Sequence, residues 1–187
     1  MGKRKAVLGI TGSPSTGKKS VGLLLAGLLN FKLLDLNKLA KESSLIQKDG
    51  SVDTNKLRKL VRKNINGGGV VVAGHLLPHI LSKGEVDFVA VLRCSPTELE
   101  KRYFERGYSE SKIKNNVSAE ILDVCLADAI RIFGGDVVAE FDTTLKEAPE
   151  VTEAIAAVFT NPRSKSVGKV RWLSGSKAKN LIKLYLS

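Results

Sequence analysis

The chain has 187 residues, of which 43% are hydrophobic and 26% charged, and a net charge of +11. That size and balance fit one soluble globular domain with a substantial core and at most a small appendage. No apolar run approaches the roughly 18–20 residues that a bilayer-spanning helix needs, so membrane partners are excluded.

Met1-Gly2-Lys3-Arg4-Lys5 is basic, but an apolar strand over residues 6–11 follows at once and leaves no signal-peptide cleavage region. Ala6 stands where a myristoylation motif needs Ser or Thr. Next comes Gly12-Ser13-Pro14-Ser15-Thr16-Gly17-Lys18-Lys19-Ser20, and then an apolar helix over residues 18–29 that directs Val21, Leu24, Leu25 and Leu28 inward. Strand, glycine loop and helix form the context in which G-x-x-x-x-G-K-[ST] has physical meaning. Loop amides and the helix N-terminus converge on an anion, and Lys18 reaches the β- and γ-phosphates. The pattern then asks for a hydroxyl to ligate Mg²⁺, and this chain offers Lys19. Nucleotide binding therefore follows more directly than phosphoryl transfer. A plain tight connection, with glycine serving only positive φ, does not account for the spacing and the lysine together.

Further strand-like runs fall at residues 32–35, 70–73, 88–93 and 136–141, short and mostly continuously apolar, as strands covered on both faces are. Their alternation with helical stretches predicts βαβ units and a parallel sheet between helices. Asp35 and Asn37 end the second strand, where a cleft opens in such sheets; acceptor contact and helix capping by Asn37 both explain them. Asp53-Thr54 caps a helix with Leu57, Leu60, Val61 and Ile65 inward, and Gly67-Gly68-Gly69 ends it. His75 and His79 are four apart, but Pro78 intervenes and no third ligand is near in sequence, so no metal site is predicted. His75 instead positions phosphate or water, or bonds locally. Arg93 ends the fourth strand, either facing phosphate or capping the strand. Ser95-Pro96 starts a helix on which Arg102 reads as a solvated charge. Residues 117–133 read as one long amphipathic helix presenting Val117, Ile121, Leu122, Cys125, Ala129 and Phe133, closed by Gly134-Gly135. Pro149 begins a last domain helix through Phe159. Cys94 and Cys125 read as reduced core residues of a cytoplasmic protein rather than a disulfide or metal pair.

After a linker at Asn161-Pro162-Arg163-Ser164, the tail carries Arg163, Lys165, Lys169, Arg171, Lys177, Lys179 and Lys183 and no acidic residue. Residues 167–173 suggest an extended segment around Trp172, and 176–186 a basic amphipathic helix. Such a tail suits a polyanion such as RNA or serves as a solubilising charge, and charge alone favours neither.

Taken together, several segments resemble the archaeal members of the adenylate kinase isoenzyme 6 family. They are Ile10-Thr11-Gly12-Ser13-Pro14, Leu34-Asp35-Leu36-Asn37, Gly74-His75-Leu76, Val91-Leu92-Arg93, Glu105-Arg106-Gly107-Tyr108-Ser109-Glu110-Ser111-Lys112-Ile113, Asn116-Val117-Ser118-Ala119-Glu120-Ile121 and Asp142-Thr143-Thr144. The resemblance covers residues 5–158. It implies an α/β, P-loop NTPase-type three-layer fold with a five-stranded parallel sheet. The domain would span residues 1–160, with an NMP-binding flap at about 33–56, an ATP lid at about 104–114, and a basic extension over 161–187. It implies an ATP cradle at Ser15, Gly17, Lys18, Lys19 and Ser20, which the loop reading extends to Gly12, Ser13 and Thr16, with Arg106 supplied by the lid. Lys18 and Arg106 are the catalytic candidates; Asp35, Asn37, His75 and Arg93 are the candidates for the acceptor.

The implied activity is phosphoryl transfer from ATP to AMP or another nucleoside monophosphate, with ATPase activity alongside. The implied partners are small-subunit rRNA and a uS11-type ribosomal protein, through a role in 16S rRNA maturation. The pattern breaks at three places. Family members carry glycine at position 15, a hydroxyl at 19 and an aspartate at 73; here stand Ser15, Lys19 and Ala73. Ser15 is tolerable where the backbone avoids positive φ. An ammonium about 4 Å from Mg²⁺ at an effective dielectric of about 20 is repelled by roughly 8 kcal/mol, so Lys19 and the metal do not share that space. The alternative reading is thus a catalytically weakened, nucleotide-binding ribosome-assembly factor with an RNA-binding tail.

Overall fold

In the computed structural model, the described residues are 5–161, 166–174, 176 and 178–186. Five parallel strands, β1 (Val7–Gly12), β2 (Lys32–Asp35), β3 (Val70–Ala73), β4 (Phe88–Arg93) and β5 (Val138–Asp142), form one sheet in the order β2-β3-β1-β4-β5. Central β1 is buried along its whole length, which is why its sequence shows no polar alternation. Side chains still alternate between faces. Leu8 and Ile10 join Val71, Ala73, Phe88 and Ala90 beneath α1 (Lys18–Leu29) and α8 (Ala148–Thr160). Val7, Val70, Val72, Val89 and Val91 face α3 (Thr54–Ile65), α4 (Leu77–Ile80) and α7 (Val124–Phe133). A third apolar cluster joins α5 (Pro96–Glu105) and α6 (Glu110–Ile121) to the C-terminal segment through Leu99, Tyr103, Ile113, Val117, Leu181 and Tyr185.

From β1 the chain runs to β2 on one side and returns through β3, then crosses β1 to reach β4 on the other side. The strand order therefore reverses beside β1, at the C-terminal edge where α/β sheets open a crevice. Register places Asp35 beside Ala73 and Ala73 beside Ile10, so three strand ends line one rim.

Three local expectations change. α1 buries Val21, Gly22, Leu25 and Ala26, while Leu24 is 41% and Leu28 59% exposed. Leucines lie all round this helix; the sheet takes the Gly22 side because a side chain there would meet Leu33 at 3.0 Å. The expected helix over 117–133 is two helices. It breaks at Asp123, whose φ is 56°, and Leu122 turns out to solvent at 56% exposure. No strand forms over residues 166–174. Instead the amides of Lys169 and Val170 donate to the Glu140 carboxylate, and a turn follows at Trp172. The basic start 1–4, most of the expected linker and Lys177 lie outside the described residues. The expected tail helix comprises α9 (Ala178–Leu181) and a π-helical turn, Ile182–Leu186. Residues 33–56 hold the end of β2, α2 (Leu36–Glu42), a single antiparallel bridge between Ile46 and Val52 and the start of α3. Residues 104–114 hold the end of α5, a short turn over 106–109 and the start of α6, where Ile113 is buried.

Candidate nucleotide site

The loop between β1 and α1 turns through three residues at positive φ: Gly12 (137°), Ser15 (63°) and Gly17 (90°). Gly12 is obligatory because a Cβ there would lie 2.2 Å from the Leu92 carbonyl oxygen. Ser15 adopts the left-handed backbone, so the condition under which a side chain is tolerable there is not met, and its buried hydroxyl has no partner among the described residues. Gly17 caps α1 without a side-chain hydrogen bond, so the first-turn amides have no capping acceptor among the described residues and present the helix's positive end.

Lys18 is folded back over this loop. Its Nζ donates to the Gly12 carbonyl at 2.9 Å and to the Ser13 carbonyl at 2.6 Å. Desolvation pushes its pKa down to about 8; Cys125, Glu120 and Asp35 act to restore the charge, while Arg106 opposes it. Asp35 and Arg106 thus lie within electrostatic reach of the ammonium although they come from β2 and the α5–α6 turn. His75 belongs to the same group. Removal from water, then the charges of Lys18 and His79, hold its imidazole below the usual histidine range. Thr16 is buried and its hydroxyl donates to the Ser13 carbonyl at 2.9 Å, closing the loop internally. Lys19 and Ser20 are exposed on the first turn of α1.

Two acceptor-side candidates sit elsewhere than the sequence suggested. Asp35, not Asn37, is the capping residue of α2: its carboxylate accepts from the amides of Asn37 at 2.9 Å and Lys38 at 3.1 Å. Arg93 is 1% exposed and faces inward rather than toward the crevice. It pairs with Glu120 at 2.6 Å, Glu140 at 3.3 Å and Asp123. Desolvation works against its charge, but Glu120 and Asp123 prevail and raise its pKa.

Four residues outside the site candidates named from the sequence shape the loop. Glu120 accepts from the Ser13 hydroxyl at 2.5 Å. The Tyr103 hydroxyl donates to the Pro14 carbonyl at 2.9 Å. Arg102, read as a surface charge, donates to the Ser15 carbonyl at 3.2 Å and pairs with Glu98 at 2.9 Å. Trp172 donates its indole N–H to Glu120 at 3.0 Å. The available signal was Glu120 itself, a carboxylate on the face that carries Ile113, Val117 and Ile121.

The chain is similar to known proteins in sequence and in fold. The family model described as an AAA domain matches residues 8–123. A "Putative adenylate kinase" of Thermococcus gammatolerans is 36% identical over 169 residues, 89% of this chain and 92% of that protein. A protein of the same name from Methanosarcina acetivorans is 38% identical over 165 residues, 82% of this chain and 86% of its own. Among solved structures, shikimate kinase from Bacteroides thetaiotaomicron superposes with a TM-score of 0.60 at 14% identity, covering 83% of this chain and 98% of that one. Thymidylate kinase from Candida albicans gives 0.56 at 13% identity, covering 87% and 94%. The chain belongs to the AAA-domain family of P-loop proteins, in the group of archaeal relatives that carry the adenylate kinase name.

Proposed function

We propose that the protein is a nucleoside monophosphate kinase of the adenylate kinase type, moving the γ-phosphoryl group of ATP to AMP or a similar acceptor, with slow ATP hydrolysis when the acceptor is missing. The observation that carries this reading is Lys18, held half-buried over an uncapped helix N-terminus with the Gly12 and Ser13 carbonyl oxygens as its hydrogen-bond partners among the described residues. A polyphosphate offers that ammonium stronger, charged acceptors and offers the free amides an anion. The names of the relatives supply the substrate class.

Phosphoryl transfer asks little covalent chemistry of a protein; it needs alignment, exclusion of water and positive charge on the transferring oxygens. Lys18 releases Gly12 and Ser13 and takes the β- and γ-oxygens. Arg106, on the turn between α5 and α6, adds a bidentate guanidinium as the 104–114 lid closes. Asp35 and His75 border the side where the acceptor enters, and residues 33–56 form the flap around it.

Magnesium, when bound to the nucleotide, neutralises charge between the β- and γ-phosphates. The residues here do not fit its usual protein ligands. Lys19 follows Lys18 in place of a hydroxyl, Ser20 lies a further step round the helix, and β3 ends in buried Ala73. We therefore read Lys19 as a partial stand-in for the metal's charge, with weakened Mg²⁺ dependence and slow turnover. Calorimetric titration of ATP with and without Mg²⁺, followed by a coupled assay with AMP, tests both parts. ATP binding that survives chelation supports the reading. Ordinary Mg²⁺-dependent ADP formation overturns the weakened-metal part, and failure to bind ATP at millimolar concentration overturns the whole.

A second reading, a nucleotide-gated factor in small-subunit maturation, draws on the tail. Leu181 and Tyr185 are buried against the α5–α6 unit while Lys169, Arg171 and Lys179 stay exposed. ATP-dependent binding to a uS11-type ribosomal protein would support it, and binding indifferent to nucleotide would remove the gate.

A further inference from the structure

A buried charge cluster connects the phosphate loop to the C-terminal segment. Glu120 is 1% exposed. One of its oxygens accepts from the Ser13 hydroxyl at 2.5 Å. The other accepts from Arg93 Nε at 2.6 Å, Trp172 Nε1 at 3.0 Å and the Cys94 amide at 3.4 Å. Across Arg93, Glu140 takes one guanidinium nitrogen at 3.3 Å with one oxygen, and the amides of Val170, at 2.9 Å, and Lys169 with the other. The Trp172 ring also covers the guanidinium, 5.8 Å from its centroid. One guanidinium thus faces two buried carboxylates and the half-exposed Asp123. Neutral N–H donors from residues 169–172 disperse the excess negative charge.

We propose that Glu120 is a positioning residue for the phosphate loop, and that the 168–172 segment acts through it, so that segment docking and nucleotide binding strengthen each other. This rests on the nucleotide-binding reading above. A polyphosphate in the loop brings negative charge beside Ser13 and hence beside Glu120. Repulsion is smallest when the Glu120 charge is fully engaged by Arg93 and Trp172, so the docked segment favours the bound loop. Linkage makes the effect reciprocal: bound nucleotide holds the segment in place.

Trp172 is the only tryptophan in the chain and reports its own docking. In the full chain, ATP affinity is measured by calorimetry, and docking by acrylamide quenching of tryptophan emission. Saturating ATP is expected to lower quenching of Trp172. Trp172→Phe, which keeps a ring over Arg93 but removes the N–H, is expected to weaken ATP binding about fivefold. Ser13→Ala, at ATP concentrations that saturate it, is expected to abolish the quenching response. The last readout does not depend on the Trp172 variant folding, and a merely structural role for Glu120 would not alter it. ATP binding unchanged in a folded Trp172→Phe variant, or a full quenching response in Ser13→Ala, overturns the coupling. Absence of ATP binding to the unaltered chain overturns the kinase reading and this one together; binding without any quenching response overturns this one alone.

Discussion

Ser15 and Lys18 show the phosphate loop under two kinds of load. Ser15 holds a left-handed backbone at φ 63° with a buried, unpartnered hydroxyl. Such a conformation costs an L-residue roughly 1–2 kcal/mol, and glycine's greater chain entropy gives back part of that. Ser15→Gly is therefore expected to raise stability by about 1 kcal/mol, read from the denaturant midpoint; a lower midpoint would refute the strain. Lys18 carries a desolvation load, its pKa drawn down to about 8. Below pH 8 it is charged in folded and unfolded chains alike and the penalty is fully present. As pH rises from about 8 toward the ordinary lysine value, the folded chain loses its proton first and the penalty fades. Phosphate reverses the shift. ATP binding is expected to take up about 0.9 proton at pH 9 and about 0.1 at pH 7, measured by calorimetry in buffers of different ionisation enthalpy. Equal uptake at both values would remove Lys18 from the site.

At the scale of elements, the junction of α6 and α7 carries the clearest lesson. Apolar periodicity runs on through Leu122, Asp123 and Val124, so the sequence reads as one helix. The break exists because Asp123 turns left-handed and gives its carboxylate to Arg93, which belongs to β4. Asp123→Ala removes a partner of a buried cation and leaves a methyl side chain in a left-handed position, at an expected cost of about 2–4 kcal/mol. Asp123→Asn, which tolerates that backbone and still accepts a hydrogen bond, is expected to cost about half as much. Equal losses in urea unfolding would show that charge decides nothing there. α1 teaches the same point from packing. Its leucines were legible, but which of them face the sheet was decided by Gly22, whose missing side chain lets Leu33 and Ala73 approach.

For the whole molecule, the net charge of +11 meets a fold in which Trp172, Leu181, Tyr185 and Leu186 pack against α5 and α6. Replacing the exposed Lys169, Arg171 and Lys179 together by Gln leaves Leu181, Tyr185 and the Lys169 amide in place. If these three cations contact single-stranded RNA, the slope of log affinity against log salt is expected to fall by about 2. An unchanged slope in a salt titration would free these three cations from any role in RNA binding.

What the chain settles by itself is local. Continuous runs of apolar residues mark β1, β3 and β4, since both faces of the sheet are covered there and no polar alternation is needed, while β2 and β5 carry charged residues and were placed by their alternation with helices. The spacing from Gly12 to Lys18 marks the phosphate loop, because its turn demands glycine at fixed intervals and places Lys18 at the start of the helix. Tertiary structure decided the rest. It set the buried engagement of Arg93 with Glu120, Glu140 and Asp123, and the hold of Trp172 on Glu120. Each depends on groups 27 or more residues apart in the chain or on a backbone turn that another element imposes, and no local pattern of apolar and polar residues encodes such pairings.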